Sequence, residues 1–198
     1  MISGLVEKLE HCTAKPIKDV YVKIIADSER YKALLDVFAG FDEEIQLKSD
    51  IHGITHVERV CLLGLVLACD MGLSIADTKL FLTACAYHDT GRIEEWEDAG
   101  HGKRAADALG DRVDYFGEDL RILKAAIEAH DQSDKMMRTT IEKYSIDDRD
   151  RATLIARLLK DADGLDRVRV SDLDPSFLRF KESRKFVDFA KELFWYYH

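Results

Sequence analysis

An all-α fold is predicted by three observations: apolar residues recur at three- and four-residue steps along nearly the whole chain, strand-like alternation is scarce, and only two prolines occur. No Gly/Ser-rich or single-sign run marks a linker and no internal repeat is visible, so residues 1–198 read as one helical bundle. That length suffices to bury a core without disulfide or metal staples.

The periodicity predicts helices over 17–27, 29–39, 55–72, 75–87, 101–110, 117–131, 134–144, 148–163 and 183–196. Gly72 is placed to close the third helix, and Ser74 caps the fourth with Asp77 in its first turn. Asp147 or Asp148 can cap the helix ending at Asp163. The segment Thr90–Gly100 has glycine near both ends and no helical stripe, and reads as a loop. The aromatic run Phe194-Trp195-Tyr196-Tyr197 is expected to close the core, with a dimer contact as the alternative.

Bulk properties narrow the function. The net charge of −9 argues against nucleic-acid binding and against an anionic membrane surface, but not against a small anion met by a metal and local cations. The longest apolar stretch, Cys61 to Cys69, is too short to span a bilayer, and the first residues do not read as a signal peptide. Cys61 and Cys69 would lie roughly 12 Å apart along one helix, too far to bridge. Reduced thiols and a cytoplasmic location follow as expectations.

Histidines and aspartates stand where the pattern calls for core residues. Stepping back four residues from the stripe Val60, Leu63, Leu67 gives His56. The stripe Leu120, Leu123, Ile127 runs onto His130, and Ile155 and Leu159 precede Asp163 at four-residue steps. His88-Asp89 ends the apolar run Leu80–Tyr87, and His101 opens its own helix. A lone core histidine is most simply a structural one, and a lone buried Asp is equally well explained by a salt bridge to Arg151, Arg157 or Arg167. Together, however, His56, His88, Asp89, His101, His130 and Asp163 are a ligand set for a borderline or hard divalent metal. His52, four residues before His56, is expected behind the ligands or at the start of the helix.

The order of these residues resembles the HD superfamily of metal-dependent phosphohydrolases, whose pattern is a first His, an adjacent His-Asp and a distant Asp. The resemblance rests on Thr55-His56-Val57-Glu58-Arg59-Val60, Tyr87-His88-Asp89-Thr90-Gly91-Arg92 and Lys160-Asp161-Ala162-Asp163-Gly164-Leu165-Asp166, and covers about residues 51–167. It implies a helical bundle of the HD type in which His56, His88, Asp89 and Asp163 hold a primary ion. His101 and His130 are similar to the extra pair in branches that hold two metals. With two ions, Asp89 would bridge them, and the hydroxide between them would attack a phosphoester or phosphoanhydride. Asp131-Gln132 after His130 does not continue as the HD-GYP motif does, so cyclic-dinucleotide cleavage is not implied.

The expectation is thus a hydrolase using one or two divalent transition metal ions (Mn, Fe, Co, Ni or Zn), without an organic cofactor, as a monomer or homodimer. Its substrate would be a nucleotide or another small phosphorylated compound. Arg59 and Lys103 are the first candidates for catalytic cations beside Asp89, and Arg92, Arg104 and Lys160 for substrate binding. Glu94, Glu95 and Asp131 are candidate general bases, and the acidic run Glu94-Glu95-Trp96-Glu97-Asp98 reads as a solvated loop or a lid. A di-iron oxygenase on the same ligand set and a non-catalytic metal-binding regulatory module are the alternatives.

Overall fold

The structure is a computed structural model describing residues 2–197, with side chains described for 4–196. Its α-helices are α1 (Ile2–Glu10), α2 (Lys15–Ala26), α3 (Ser28–Ala39), α4 (Ile54–Met71), α5 (Ile75–Tyr87), α6 (His101–Ala108), α7 (Gly117–His130), α8 (Asp134–Lys143), α9 (Arg149–Leu165), α10 (Lys181–Arg184) and α11 (Val187–Tyr197). Short 3-10 turns follow α6, α9 and the loops before α4 and α10, and no strand occurs among the described residues. The fold is all-α, as the periodicity predicts.

α4 is the axis of the molecule. Every residue from His56 to Ala68 is buried, so this helix has no solvent face and must be enclosed by neighbours. α5, α9, α3, α2 and α11 all pack against it. α7 packs on α9 and α5 and carries α6 and α8 on its outer side. The ends of α4, α5, α6, α7 and α9 therefore converge on one region, and that is where the histidines gather.

Local chemistry sets the boundaries. Gly72 takes a left-handed φ of 64° and closes α4, while the Ser74 hydroxyl accepts the Asp77 N–H at 3.0 Å. The Asp148 carboxylate caps α9 by accepting the Arg151 N–H at 2.9 Å.

Three departures from the sequence expectation have physical causes. α1 was not anticipated, although Leu5, Val6 and Leu9 bury on one face of it. The helix expected over 183–196 is broken by a turn at Lys185-Phe186. Asp161 causes the break by accepting the backbone N–H groups of Arg179 and Phe180 and the Ser183 hydroxyl, which pins α10. The turn then aims Phe186 and Phe189 into the core together. Of the terminal aromatic run, Phe194 is half-buried and Trp195 is 71% exposed, so only part of it closes the core; the Tyr197 side chain lies outside the described residues.

Candidate metal centre

Each of four imidazoles has its Nδ1 committed to an acceptor. His88 Nδ1 reaches the Cys85 carbonyl at 2.8 Å, His130 Nδ1 the Ile127 carbonyl at 2.6 Å, and His101 Nδ1 the Asp98 carbonyl at 2.7 Å. His56 Nδ1 reaches Asp166 Oδ2 at 2.7 Å. A carbonyl can only accept, so Nδ1 carries the proton and Nε2 turns inward as the free donor atom, the arrangement that orients metal-binding histidines. The sequence explains the three carbonyl anchors: each is the residue three positions back, within reach at the end or the start of a helical turn.

The inward nitrogens meet in pairs around one carboxylate. His56 Nε2 and His88 Nε2 are 3.2 Å apart, and His101 Nε2 and His130 Nε2 are 3.0 Å apart. Asp89 lies between the pairs and divides its oxygens. Oδ1 faces His101 and His130 at 3.2 and 3.5 Å, and Oδ2 faces His56 and His88 at 3.5 and 3.7 Å. Asp163 closes the first group, its Oδ1 3.5 Å from His56 Nε2. That oxygen is buried and makes no hydrogen bond.

These contacts decide whether the residues suit a metal. Facing lone pairs and an orphaned carboxylate oxygen are costly unless a cation sits among them. The donor set, neutral imidazole and carboxylate, is that of borderline divalent ions. Burial pushes the His88 pKa down to about 3, so its Nε2 is available throughout the neutral range. Burial alone would raise the Asp89 carboxyl, but His88 and the ring nitrogens of His101, His130 and His52 together draw it well below the usual range. Burial likewise opposes charge on His130, yet contact with Asp89 and the charge of Asp163 outweigh it and raise that pKa. The buried His/Asp groups could hold a metal, His56, His88 and Asp163 on one side and His88, Asp89 and His130 toward the other.

Two glycines make the convergence possible. A Cβ at Gly102 would lie 2.6 Å from the Ile127 carbonyl oxygen, so only glycine lets α6 approach α7 closely enough for His101 to meet His130. A Cβ at Gly91 would lie 2.2 Å from the His101 carbonyl oxygen, which is how the chain leaving Asp89 passes under α6.

The expected cations are distributed differently from the expectation. Arg59, expected to meet substrate, is fully buried and makes a two-point ion pair with Asp166, Nε to Oδ1 at 2.7 Å and Nη2 to Oδ2 at 2.9 Å. It orients the carboxylate that orients His56. Lys103 points outward and pairs with Asp107 one turn along α6, away from the centre. Arg104 donates to the Gly91 carbonyl at 2.8 Å and binds Asp98, so it holds the loop. Lys160 donates to the carbonyls of Ala129, His130 and Gln132, capping α7 behind His130, and its charged form is disfavoured by burial. Arg92 alone of the five reaches the centre, with Nε 3.0 Å from Asp89 Oδ2. Among the candidate bases, Asp131 accepts the Gly102 N–H at 3.2 Å beside His101, and Glu95 is held by the Ser49 hydroxyl at 2.7 Å.

Asp166 and Arg169 are participants that the sequence does not single out, and His52 joins them from the place behind the ligands where it is expected. Asp166, in the third motif, holds His56 and Arg59. Arg169, one turn further, lies 3.6 Å from Asp163 Oδ1 and 3.7 Å from Asp166 Oδ2. His52, expected behind the ligands, touches Asp89 Oδ2 through Nδ1 at 3.1 Å. The spacing Asp163-x-x-Asp166-x-x-Arg169 on one face of a helical turn was the available signal. A cavity of about 350 Å3 opens beside His130 and Asp163, walled by residues of α9 and of the segment 172–179.

No curated protein and no solved structure matches the chain. The model of the family described as HD domain matches residues 53–168, well over half of it, from the start of α4 to the turn after α9. The chain belongs to the HD domain family.

Proposed function

We propose that this protein is a metal-dependent phosphohydrolase that cleaves a phosphoester or phosphoanhydride of a nucleotide or another small phosphate compound. The observation that carries this reading is Asp89, whose two oxygens are divided between two imidazole pairs. Such a carboxylate suits two adjacent cation positions, one held by His56, His88, Asp89 and Asp163, the other by Asp89, His101 and His130. When bound, one or two divalent ions would acidify water and neutralise charge on the phosphoryl oxygens.

The chain's own residues complete the site. Arg92 Nε and Arg169 Nε and Nη1 are buried donors without a hydrogen bond, on two sides of the carboxylates. Both guanidinium groups are ion-paired to carboxylates of the centre, and such groups beside a cation site suit the oxygens of a phosphoryl group. Asp131 accepts a backbone N–H beside His101 and can hold a proton at its remaining oxygen. The walls of α4, α5 and α9 exclude bulk water from the inner side of the centre.

The test is metal content by elemental analysis together with phosphate release on a panel of nucleotides and small phosphate esters, wild type beside Asp89→Ala. The expected result is about two ions per chain and turnover in the wild type, both lost in the variant. A protein that takes up no Mn, Fe, Co, Ni or Zn would end the reading. One that binds metal and hydrolyses nothing in the panel would reduce it to metal binding.

A further inference from the structure

A second cavity, of about 420 Å3, lies between α3, α5 and the segment 112–115 that leads into α7, and none of the six candidate metal ligands lines it. Lys79, Thr83 and Tyr87 border it at four-residue steps along one face of α5. His88, the next residue, turns about 100° away from that face. Val37 and Val113 supply apolar wall, and Tyr87 and Tyr115 add ring surface tipped with hydroxyl groups. An apolar recess with a few converging polar groups is the form of a small-molecule site.

The polar groups of this cavity are unequally engaged. Lys79 pairs with Asp36 at 3.0 Å, and Lys32 meets Asp36 again at 2.8 Å, so that carboxylate is satisfied twice. The Tyr87 hydroxyl donates to the Gly40 and Arg112 carbonyls at 3.3 and 3.2 Å, which ties the loop backbone to α5. Thr83 Oγ1 donates to the Lys79 carbonyl at 2.8 Å, and its contact with the Tyr115 hydroxyl, 3.4 Å, is long for two oxygens. The Tyr115 proton is therefore still free for an acceptor. Arg112 differs from all of these. Its partly buried guanidinium makes no ion pair and no side-chain hydrogen bond among the described residues, and its Nη1 is shut off from water. Withdrawing guanidinium donors from water without an acceptor is costly, and an anion in the cavity would remove that cost.

From this geometry we infer that the cavity is a second binding site, for a small organic monocarboxylate with an apolar ring. The carboxylate lies on Arg112 and the ring among Val37, Val113 and the two tyrosines. A planar guanidinium meets a carboxylate with two parallel N–H···O bonds, which fixes the orientation of the ligand. One unengaged guanidinium suits one negative charge. Asp114 stands exposed on the same wall and repels a second, so a phosphate dianion is the poorer occupant. The Tyr115 hydroxyl is left to donate to a polar substituent of the ring. This binding needs no metal and holds whatever reaction the centre performs.

The experiment is calorimetric titration of the full chain with 4-hydroxyphenylacetate, its uncharged amide and inorganic phosphate, for wild type, Arg112→Met, Arg112→Lys and Tyr115→Phe. The expected result is one carboxylate per chain, bound at least about ten-fold more tightly than the amide or phosphate. Arg112→Met should weaken it about ten-fold or more, Arg112→Lys by less because it keeps the charge and loses the fork, and Tyr115→Phe about three-fold. The melting temperature of Arg112→Met should equal or exceed that of the wild type, since no acceptor is left stranded. Equal affinity for carboxylate and amide, tighter binding of phosphate, binding unchanged in Arg112→Met, or no saturation by about 10 mM would overturn the inference. If Arg112→Met does not fold, Arg112→Lys decides, and an affinity unchanged there overturns it equally.

Discussion

The two halves of the centre are built by different means. On the His56 side the candidate ligands come from α4, the end of α5 and α9, three mutually packed helices, with His88 held by the Cys85 carbonyl and His56 by a buried ion pair, Arg59 to Asp166. On the His101 side the ligands project from the eight-residue α6 and the end of α7, and their rings are held by backbone carbonyls. The first half is part of the core. The second hangs on a short helix whose approach depends on Gly102 and on a loop tied by Arg104 and Asp98. Rigid core elements hold ligands more precisely than loops and short helices do, so the two cation positions should differ in affinity and in tolerance to change.

Removing one ligand from each half gives the largest contrast. His56→Ala should abolish turnover, a loss of about 10³-fold or more, and lower metal content at both positions through the freed Asp89. His101→Ala should reduce metal from about two ions per chain to about one while sparing the first position. Elemental analysis of both variants after dialysis checks this, and equal losses in the two would erase the distinction.

Asp166→Asn sharpens it by acting only on the first half. It removes the charge that holds His56 and Arg59, and should weaken metal binding there about 10- to 100-fold, read by competition with a chelator. Arg59→Met tests the same chain through stability. Leaving the buried Asp166 without its two-point partner should cost about 3–5 kcal/mol in denaturant unfolding.

Gly102→Ala addresses the second half. Its Cβ would press on the Ile127 carbonyl, so α6 should shift from α7 at a cost of roughly 1–3 kcal/mol. The His101 position should lose its metal before the His56 position does. An unchanged metal content and melting temperature would show that α6 is not held by this contact.

The smallest effect expected is that of pH on the loop. Burial opposes charge on Asp98, but the N–H groups of Ile93 and Glu94 and the Arg104 guanidinium outweigh it and hold the pKa at about 2. A carboxyl depressed below its unfolded value contributes stability that is full above that value, near 4, and is lost as pH falls through about 2. Asp98→Asn should therefore flatten the acid limb of the stability curve between about pH 4 and 2 and change little at pH 7. Stability followed against pH in both proteins measures this.

The same contrast explains what was legible beforehand. His56, His130 and Asp163 were visible because each continues an apolar stripe, which makes a polar residue there conspicuous. His101 opens a short helix with no stripe, and only the joint pattern with the other histidines and aspartates points to it. Arg59 was misread for a physical reason: periodicity places it one turn beyond His56 but does not say that α4 is buried on every side. Lys103 departs from the expectation in the opposite sense, since a cation two residues from His101 projects about 160° away from it on a helix. α1 went unseen although Leu5 and Leu9 are spaced for a helix, because nine residues form too short a window for the period to stand out.

The amino-acid sequence by itself determined the helical class, most helix positions and the His and Asp side chains that gather at the centre, since these depend on local spacing and on residue types that do not belong in a core. Only the tertiary structure decided how Asp89 divides its oxygens, that Arg59 and Asp166 stand behind His56, and that Arg92 and Arg169 are the cations at the centre. Those facts arise where five helix ends converge from positions over a hundred residues apart, and the distances between such ends are set by packing, which no local pattern encodes.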